Sequence, residues 1–394
     1  MKPTRRGLLA GATLLPLTLM GQVRGAAGDG STAPDLRLRS IRQEHPRIIA
    51  TPEALARMDA ALKTNLVARN WRSLFEQRMR EAFFHDKGLP PLAYTDKTKD
   101  VFFRADPAPA APAGRVEDLG TPSEFLDLSN EFEVPTPVDE PDTSQVFKYS
   151  FNVKADGALD YARVALTRMH ALGLLALMKP EPEYVERAKL ELLAICRLRG
   201  WGTKILAAAT FAHAAAIGYD WLHASLSESE RAFVEKTILD RGITRGLAEF
   251  DAYPQPAWLT SRAILNWNVV CNAAMMVTAL SLFERDRAAC TRLFNLSYHA
   301  ILRGLANYAP DGSWKHEGPN YWHLATEHAV YMLDALDTAL GTDLFLSDVP
   351  GLRETGTFRL HVEGPSKRLF NYGDSASSRR ELWWMLWLAR RYGR

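Results

Sequence analysis

The chain has 394 residues, of which 47% are hydrophobic and 24% are charged, and its formal net charge is +2. This composition is typical of a globular protein and excludes a disordered or fibrous chain. The nearly neutral charge argues against a nucleic-acid-binding protein and against a protein that adheres to membranes.

The first 27 residues have the pattern of an export signal. A basic start with Arg5 and Arg6 precedes an apolar stretch from Leu8 to Met20, and small residues follow at Gly25 to Ala27. The paired arginines also fit a twin-arginine signal, which carries folded proteins across the bacterial inner membrane. Removal of residues 1–27 takes away four basic and no acidic residues, so the net charge becomes about −2. We therefore expect a periplasmic or secreted protein.

The mature chain is predicted to hold a linker and one large domain. The linker covers residues 28–44, and the domain covers residues 45–394. An acidic loop is expected as an insertion around residues 106–150. Prolines there disfavour helix, and nine acidic residues occur between positions 117 and 142 without a single Lys or Arg.

Apolar residues at helical spacing dominate the rest of the domain. A first helix is expected to start at Pro52, with Thr51 as its cap. Later apolar stripes cover residues 161–175, 184–195, 204–224, 228–249, 262–284, 286–308, 319–340 and 380–392. Only residues 359–370 have an alternating pattern that indicates a strand. About ten or eleven helices joined by short turns predict an all-α fold, and the lack of a fixed repeat favours an (α/α) toroid over a solenoid.

The three cysteines, Cys196, Cys271 and Cys290, fall within the apolar helices. We expect buried thiols rather than a disulfide framework. Their spacing, without neighbouring histidines, is not that of a zinc site. Neither a metal nor a cofactor is expected.

Two polar clusters interrupt the apolar pattern, and the first holds Asn266, Asn268 and Asn272. Asn268 and Asn272 are four residues apart and share a helical face, whereas Asn266 and Asn268 do not. Buried amides need hydrogen-bond partners. These partners are either structural, with Asn266 as a helix cap and Asn272 bonded to backbone, or they belong to a ligand.

The second cluster runs from Tyr308 to His323. A turn is expected at residues 310–312, and a new helix is expected to open at Pro319. Tyr321 then lies near a helix N-terminus, where unpaired N–H groups favour negative charge and assist formation of a phenolate. An ordinary aromatic-rich turn is the alternative interpretation.

Five stretches of the chain resemble the heparinase II/III-like family, which includes alginate, oligoalginate and heparan lyases. They are HPRIIATPEALARM (45–58), AHAAAIGYDWLH (212–223), NWNVVCN (266–272), YAPDGSWKHEGPNYW (308–322) and FNYGDS (370–375). The resemblance spans about residues 40–390 without the acidic loop. It implies an (α/α) toroid, normally followed by a β-sandwich domain, and cleavage of uronate-containing polysaccharides by β-elimination.

This chemistry needs a group that neutralises the uronate carboxylate, a base for the C5 proton and an acid for the leaving O4. The resemblance implies that Tyr321 is the base and acid and that Asn266 or Asn268 neutralises the carboxylate. Many relatives have a histidine where this chain has Trp267, which leaves the choice of asparagine open. Substrate contacts are expected from His213, Trp267, His316, Glu317, Trp322 and His323. A buried core histidine with satisfied hydrogen bonds is the alternative for His213.

The family's β-sandwich is not expected within this chain. The expected partners are an acidic polysaccharide or oligosaccharide and a separately encoded β-sandwich domain, which would dock on an apolar patch of the tryptophan-rich segment 383–388. Two other functions stay open. One is a non-catalytic glycan-binding or partner-dependent toroid subunit, and the other is a toroid glycoside hydrolase that uses two carboxylates among Asp220, Asp311 and Glu317.

Overall fold

The computed structural model describes residues 36–85, 88–94, 157–252, 265–375 and 383–393. By its contacts the chain divides after Pro34, and all described residues belong to the second unit, Asp35–Arg394. The expected export signal and the acidic loop at residues 106–150 lie outside the described residues.

Regular secondary structure in the described residues is helical, which confirms the predicted all-α class for this part of the chain. The α-helices are α1 (Pro52–Thr64), α2 (Leu66–Phe83), α3 (Ala158–Met178), α4 (Pro182–Arg197), α5 (Ile205–Leu222), α6 (Glu228–Ile238), α7 (Arg245–Ala252), α8 (Asn266–Ser281), α9 (Arg287–Leu305), α10 (Pro319–Leu340), α11 (Thr355–Val362) and α12 (Trp384–Tyr392). A π-helical turn, Leu239–Thr244, joins α6 to α7.

Four helices, α3, α5, α8 and α10, form an inner row in which each helix packs along the next. The intervening helices pack on this row, with α4 and α6 against α5 and with α9 against α8. Every residue of α5 and of α8 is buried, as expected for helices that are apolar on all faces. The stretch Ile205–Ser225 is long and apolar enough to cross a membrane, but its apolar 18-residue window is entirely buried in the described structure, as a core helix also is.

Residues 40–49, which we call the strap, cross the C-terminal ends of three inner helices. Arg47 donates to the carbonyl of Ser281 at the end of α8 (3.3 Å) and, through its backbone, to Asp220 near the end of α5 (3.0 Å). Another backbone N–H of the strap donates to Thr338 near the end of α10 (2.8 Å). These three helices therefore end on one side, and their N-terminal ends lie together on the other.

Buried charges hold the strap in place. The Asp220 carboxylate is completely buried and accepts from the backbone N–H of Arg47 and of Ile48 and from the ring of His45 (2.6 Å). The Arg47 guanidinium is also buried and forms a two-fold contact with Glu284. Removal of one member leaves an uncompensated buried charge, so this network fixes the strap on the helix ends.

The packed unit begins earlier in the chain than predicted. Residues 36–44, predicted as part of a linker, pack on α9 and α10, since Leu38 and Ile41 are buried and Ser40 donates to the carbonyl of Leu340 (2.8 Å). Basic and polar neighbours surround the two apolar side chains in the sequence. So short an apolar pattern does not show that distant helices will cover it, and the segment was therefore predicted as a linker.

Local signals mark several helix boundaries as predicted. Thr51 caps α1 and accepts from the N–H of Ala54 (3.3 Å). The helix predicted at residues 319–340 is α10, with Pro319 in its first turn and Gly341 in the left-handed region after its end. The three cysteines are buried free thiols, as expected.

The prediction of a strand at residues 359–370 is wrong. The first residues belong to α11, and an isolated bridge between Glu363 and Leu369 is the only β pairing there among the described residues. The buried residues Arg359 and Val362 are three positions apart, which is the spacing of one helical face.

The tryptophans of the last helix face inward. Trp383, Trp384 and Trp387 each donate an indole N–H to a side chain of α10, at 2.9, 3.3 and 3.0 Å. Leu386 is the large apolar residue of this segment that stays highly exposed, at 77%. The predicted patch of exposed tryptophan is therefore wrong, because polar side chains of α10 supply the acceptors that buried indoles need.

Candidate functional site

The two polar clusters of the sequence meet at the N-terminal ends of α8 and α10. Glu317, which lies just before α10, accepts from the backbone N–H of Asn266 (2.7 Å) and from its side-chain amide (2.5 Å). The indole N–H of Trp314 donates to the same carboxylate (2.9 Å). Asn266 is the first residue of α8 and not its cap, so the predicted capping role is wrong. A carboxylate from another segment binds the backbone N–H of the first residue at this helix end.

Glu317 is 6% exposed, so its carboxylate is largely removed from water. Burial raises the pKa of Glu317 above its ordinary value, while the hydrogen bonds from Trp314 and Asn266 lower it, and the negative charge of Asp374 raises it. The site therefore combines a buried acid with a set of donors that are already directed at it. An anionic ligand beside Glu317 would be repelled unless a cation lay close by.

The segment 370–375 fixes the turn that carries Glu317. The Tyr372 hydroxyl donates to the backbone of this turn (2.6 Å), and the Ser375 hydroxyl donates to the carbonyl of Glu317 (3.0 Å). Gly318 has a φ of 82°, and a Cβ at this position would lie 2.0 Å from the Tyr372 carbonyl oxygen. Only glycine fits both this conformation and this contact.

The five stretches that carry the family resemblance come together in two places. Three of them meet at the N-terminal ends of α8 and α10, namely 266–272, 308–322 and 370–375. The other two, 45–58 and 212–223, meet at the opposite ends of the inner helices, where the Trp221 indole donates to the carbonyl of Ile48 (2.8 Å). The first place contains the polar residues expected to carry chemistry.

The structure distinguishes the two asparagines between which the sequence left a choice. A Cβ on Gly304 of α9 would lie 2.5 Å from Asn268 Oδ1, so the Asn268 amide faces α9. Asn272, on the same face, donates its amide to the backbone carbonyl of Asn268 (2.8 Å), which is the backbone-bonded arrangement named as its alternative. The Asn266 amide instead lies against Glu317 at the start of α10. Both Asn266 and Asn268 are completely buried, and Asn266 is the one whose amide lies against the turn that leads into Tyr321.

The residues predicted to contact substrate around Tyr321 differ in their surroundings. Tyr321 is 4% exposed, Trp267 is 8% exposed and His316 is exposed. Trp322 is 1% exposed, and its indole donates to the Thr355 hydroxyl (2.6 Å). The structure thus places Trp322 in the core, where it offers no face to a sugar.

His323 is also turned away from the asparagine cluster. Its Nδ1 accepts from the Trp384 indole of α12 (3.3 Å), and its Nε2 lies 3.9 Å from Glu327. Consecutive residues of a helix are rotated by about 100° from each other, so Tyr321 and its two successors point in three directions. The described hydrogen bonds of Trp322 and His323 lie within the helical core, and their substrate contacts stay predictions.

Aromatic rings from α3, α5 and α10 form a cluster halfway along the inner helices. The ring centroid of His213 lies 5.8 Å from that of His170, 5.8 Å from that of His328 and 5.5 Å from that of Tyr331. His170 stacks on Tyr331 at 4.6 Å. Burial lowers the pKa of His170 to about 4 and of His328 to about 3, and it lowers the pKa of His213 well below its ordinary value. The three imidazoles are therefore neutral at pH 7.

His213 fits neither of the roles that the sequence allowed. It is completely buried, so it cannot touch a ligand in this conformation. Neither ring nitrogen has a hydrogen-bond partner in the described part of the chain, so it is not a satisfied core histidine either. Its ring meets those of Tyr331 and His170 at 84° and 83°, an arrangement in which an N–H donates weakly to an aromatic face.

The sequence pattern alone does not single out His170, His328 or Tyr331. The spacing of residues on the predicted helix 319–340 could nevertheless have pointed to two of them. Tyr321, His328 and Tyr331 follow each other at intervals of seven and three residues, which places them on one helical face. The same face of α10 therefore carries the predicted base near its start and the aromatic cluster further along.

The three carboxylates named for a glycoside hydrolase do not form one site. Asp220 binds the strap at the C-terminal end of α5, whereas Glu317 lies at the N-terminal end of α8. Asp311 is exposed and accepts from the N–H and the hydroxyl of Ser313 (3.0 and 2.7 Å). Acid and base in a hydrolase are separated by roughly 5–9.5 Å, which Asp220 and Glu317 at opposite helix ends do not satisfy.

Among the described residues, no group of three or more His, Cys, Asp and Glu side chains is arranged to hold a metal ion. No family model matches the chain, and no curated protein matches it.

Proposed function

We propose that the protein is a polysaccharide lyase that cleaves uronate-containing chains by β-elimination, with Tyr321 and Asn266 at its centre. The contact between Glu317 and Asn266 carries this proposal, because it joins the asparagine cluster to the turn that leads into Tyr321. The resemblance of the same segments to heparinase II/III-like lyases supports the assignment.

In this mechanism the Tyr321 phenolate takes the C5 proton of the uronate. The electrons of the C5–H bond form the C4–C5 double bond, the C4–O4 bond breaks, and the Tyr321 hydroxyl returns the proton to O4. Asn266 stabilises the negative charge that grows on the carboxylate. Asn266 is completely buried in this structure, so the proposal requires that substrate binding first exposes its amide. Of the two hydrogens on its amide nitrogen, one is bound to Glu317 and the other is then left for the substrate.

The proposed fold is an (α/α) toroid. Inner and outer helices alternate along the chain from α3 to α10, and the inner helices α5, α8 and α10 point in the same direction. Both features are those of helical hairpins arranged around a common centre. Export to the periplasm and a separate β-sandwich partner are further parts of this proposal.

The activity is tested by incubation of the mature protein with alginate, heparan sulfate and hyaluronan. A lyase product contains an unsaturated uronate, whose ultraviolet absorbance rises with time. Tyr321→Phe removes the proton-transferring hydroxyl and is expected to lower the rate by a factor of about 10²–10⁴. Tyr298→Phe in α9, which removes a half-buried hydroxyl bonded to the carbonyl of Leu344, is the matched control.

Three results would argue against the lyase. Wild-type protein that gives no absorbance on any of the three polysaccharides lacks the activity. Wild-type protein that binds their oligosaccharides without turnover is the non-catalytic glycan-binding subunit. A Tyr321→Phe variant as active as the Tyr298→Phe variant removes Tyr321 from the mechanism.

A further inference from the structure

Arg163 lies on the face of α3 that is turned toward α10. It precedes His170 by seven residues, so both side chains share one helical face. The ring of His170 stacks on Tyr331 of α10, which shows where this face points. The charge of Arg163 contributes to the lowered pKa of His328 on α10, which agrees with the same direction.

The inner helix α3 runs parallel to α5. A Cβ on Gly202, just before α5, would lie 2.9 Å from the Cβ of Ala158 at the start of α3. Later in both helices, a Cβ on Gly173 would lie 2.9 Å from the ring of Trp221. The start of α3 therefore lies on the same side as the starts of the other inner helices, where Asn266 meets Glu317.

Helix geometry places Arg163 close to the level of Tyr321. With a rise of 1.5 Å per residue, Arg163 lies about 7 Å from the start of α3, and Tyr321 about 3 Å from the start of α10. His170 and Tyr331, which stack on each other, both lie about 18 Å from the starts of their helices, so the two helices are in register.

Electrostatics at this end of the helices call for a cation. Glu317 and Asp374 are both acidic, and a uronate carboxylate beside them would be repelled. The neighbouring imidazoles of His170 and His328 are neutral at pH 7 and cannot offset this repulsion. Arg163 is partly exposed and always charged, and its planar guanidinium binds a carboxylate through two parallel hydrogen bonds.

We infer that Arg163 binds the carboxylate of an acidic sugar at the N-terminal ends of α3, α8 and α10. The inference rests on the proposed function for the class of its ligand. Arg163 adds an arginine that the asparagine and tyrosine motifs do not contain, and it makes the site selective for uronates over neutral sugars. Lys315 of the tyrosine motif donates to the backbone carbonyl of Ala306 (2.9 Å).

The test measures binding separately from turnover. Tyr321→Phe protein is titrated calorimetrically with tetrasaccharides of alginate, heparan sulfate and hyaluronan, and with the same tetrasaccharides after chemical reduction of their carboxylates to alcohols. Arg163→Gln is added to this background, and Arg163→Lys tests partial rescue of the charge. Arg57→Gln, an exposed arginine on α1, is the control.

We expect Arg163→Gln to weaken binding of the acidic tetrasaccharide about 10- to 100-fold and to leave binding of the reduced form unchanged. Arg163→Lys should give an intermediate loss, and Arg57→Gln none. The inference is overturned if Arg163→Gln weakens both forms equally, if it weakens neither, or if no acidic tetrasaccharide of the three binds. Selective loss together with an inactive wild-type protein would instead refute the lyase and keep the Arg163 site.

Discussion

Replacement of Glu317 by alanine should destabilise the protein strongly, because this carboxylate joins α8 to the turn before α10. The change leaves three buried donors without an acceptor: the backbone N–H and side-chain amide of Asn266 and the indole N–H of Trp314. Each unsatisfied buried donor costs about 1–3 kcal/mol. Removal of the carboxylate also recovers its cost of burial, which is evident in its raised pKa. We therefore expect the free energy of unfolding to fall by about 3–5 kcal/mol.

Glu317→Gln separates the hydrogen bonds from the charge. The amide keeps one acceptor oxygen but turns an N–H₂ group toward a donor, so we expect a smaller loss of about 1–3 kcal/mol. Urea unfolding followed by circular dichroism measures both losses, with Glu44→Ala on the exposed strap surface as a control that should stay within about 0.5 kcal/mol of wild type. A Glu317→Ala variant within about 1 kcal/mol of wild type would refute the proposed role of this carboxylate.

Three further predictions concern the helices around the site. Folded His328, with a pKa of about 3, stays neutral while the unfolded chain takes up a proton below pH ~6.5, so wild-type stability falls as the pH drops through this window. His328→Phe should remove about 3 kcal/mol of this pH dependence between pH 7 and pH 4, and melting curves of both proteins over this range that fall in parallel would contradict it. Gly304→Ala places a Cβ 2.5 Å from Asn268 Oδ1 and should cost about 1–3 kcal/mol in urea unfolding, whereas an unchanged midpoint would show that α8 and α9 are further apart. Asp220→Ala leaves the buried Arg47 without this carboxylate and should cost about 3–5 kcal/mol, and a melting temperature equal to that of wild type would show that the strap is not fixed by this pair.

Local sequence signals predicted the helices well, because each signal acts within one turn. Thr51 and Pro52 mark the start of α1, and Pro319 and Gly341 bound α10. The apolar periodicity that predicts each helix also decides which side is buried. The all-α class therefore follows from short-range physics.

The arrangement of the site could not be predicted in the same way. Glu317 binds Asn266 across 51 positions of sequence, and no local pattern shows which distant carboxylate will take over the role of a helix cap. For the same reason Trp322 was expected at a sugar, although Thr355 and the core rings enclose it. Residues 36–44 were placed in a linker because the helices on which they pack lie far along the chain.

The spacing of residues along the helices nevertheless gave information about the site that the motifs alone did not give. Tyr321, His328 and Tyr331 share a face of α10, and Arg163 and His170 share a face of α3. Spacing predicts which residues share a face but not which helix lies opposite. The ring contact between His170 and Tyr331 supplies this missing information.

The central claim is that Asn266 and Tyr321 act on the same sugar residue. A crystal structure of Tyr321→Phe with a bound uronate tetrasaccharide measures this directly. We predict that the uronate carboxylate lies within hydrogen-bond distance of the Asn266 amide while C5 of the same ring faces the side chain at position 321. A tetrasaccharide bound elsewhere, or a ring that contacts one of these residues and not the other, would contradict the claim.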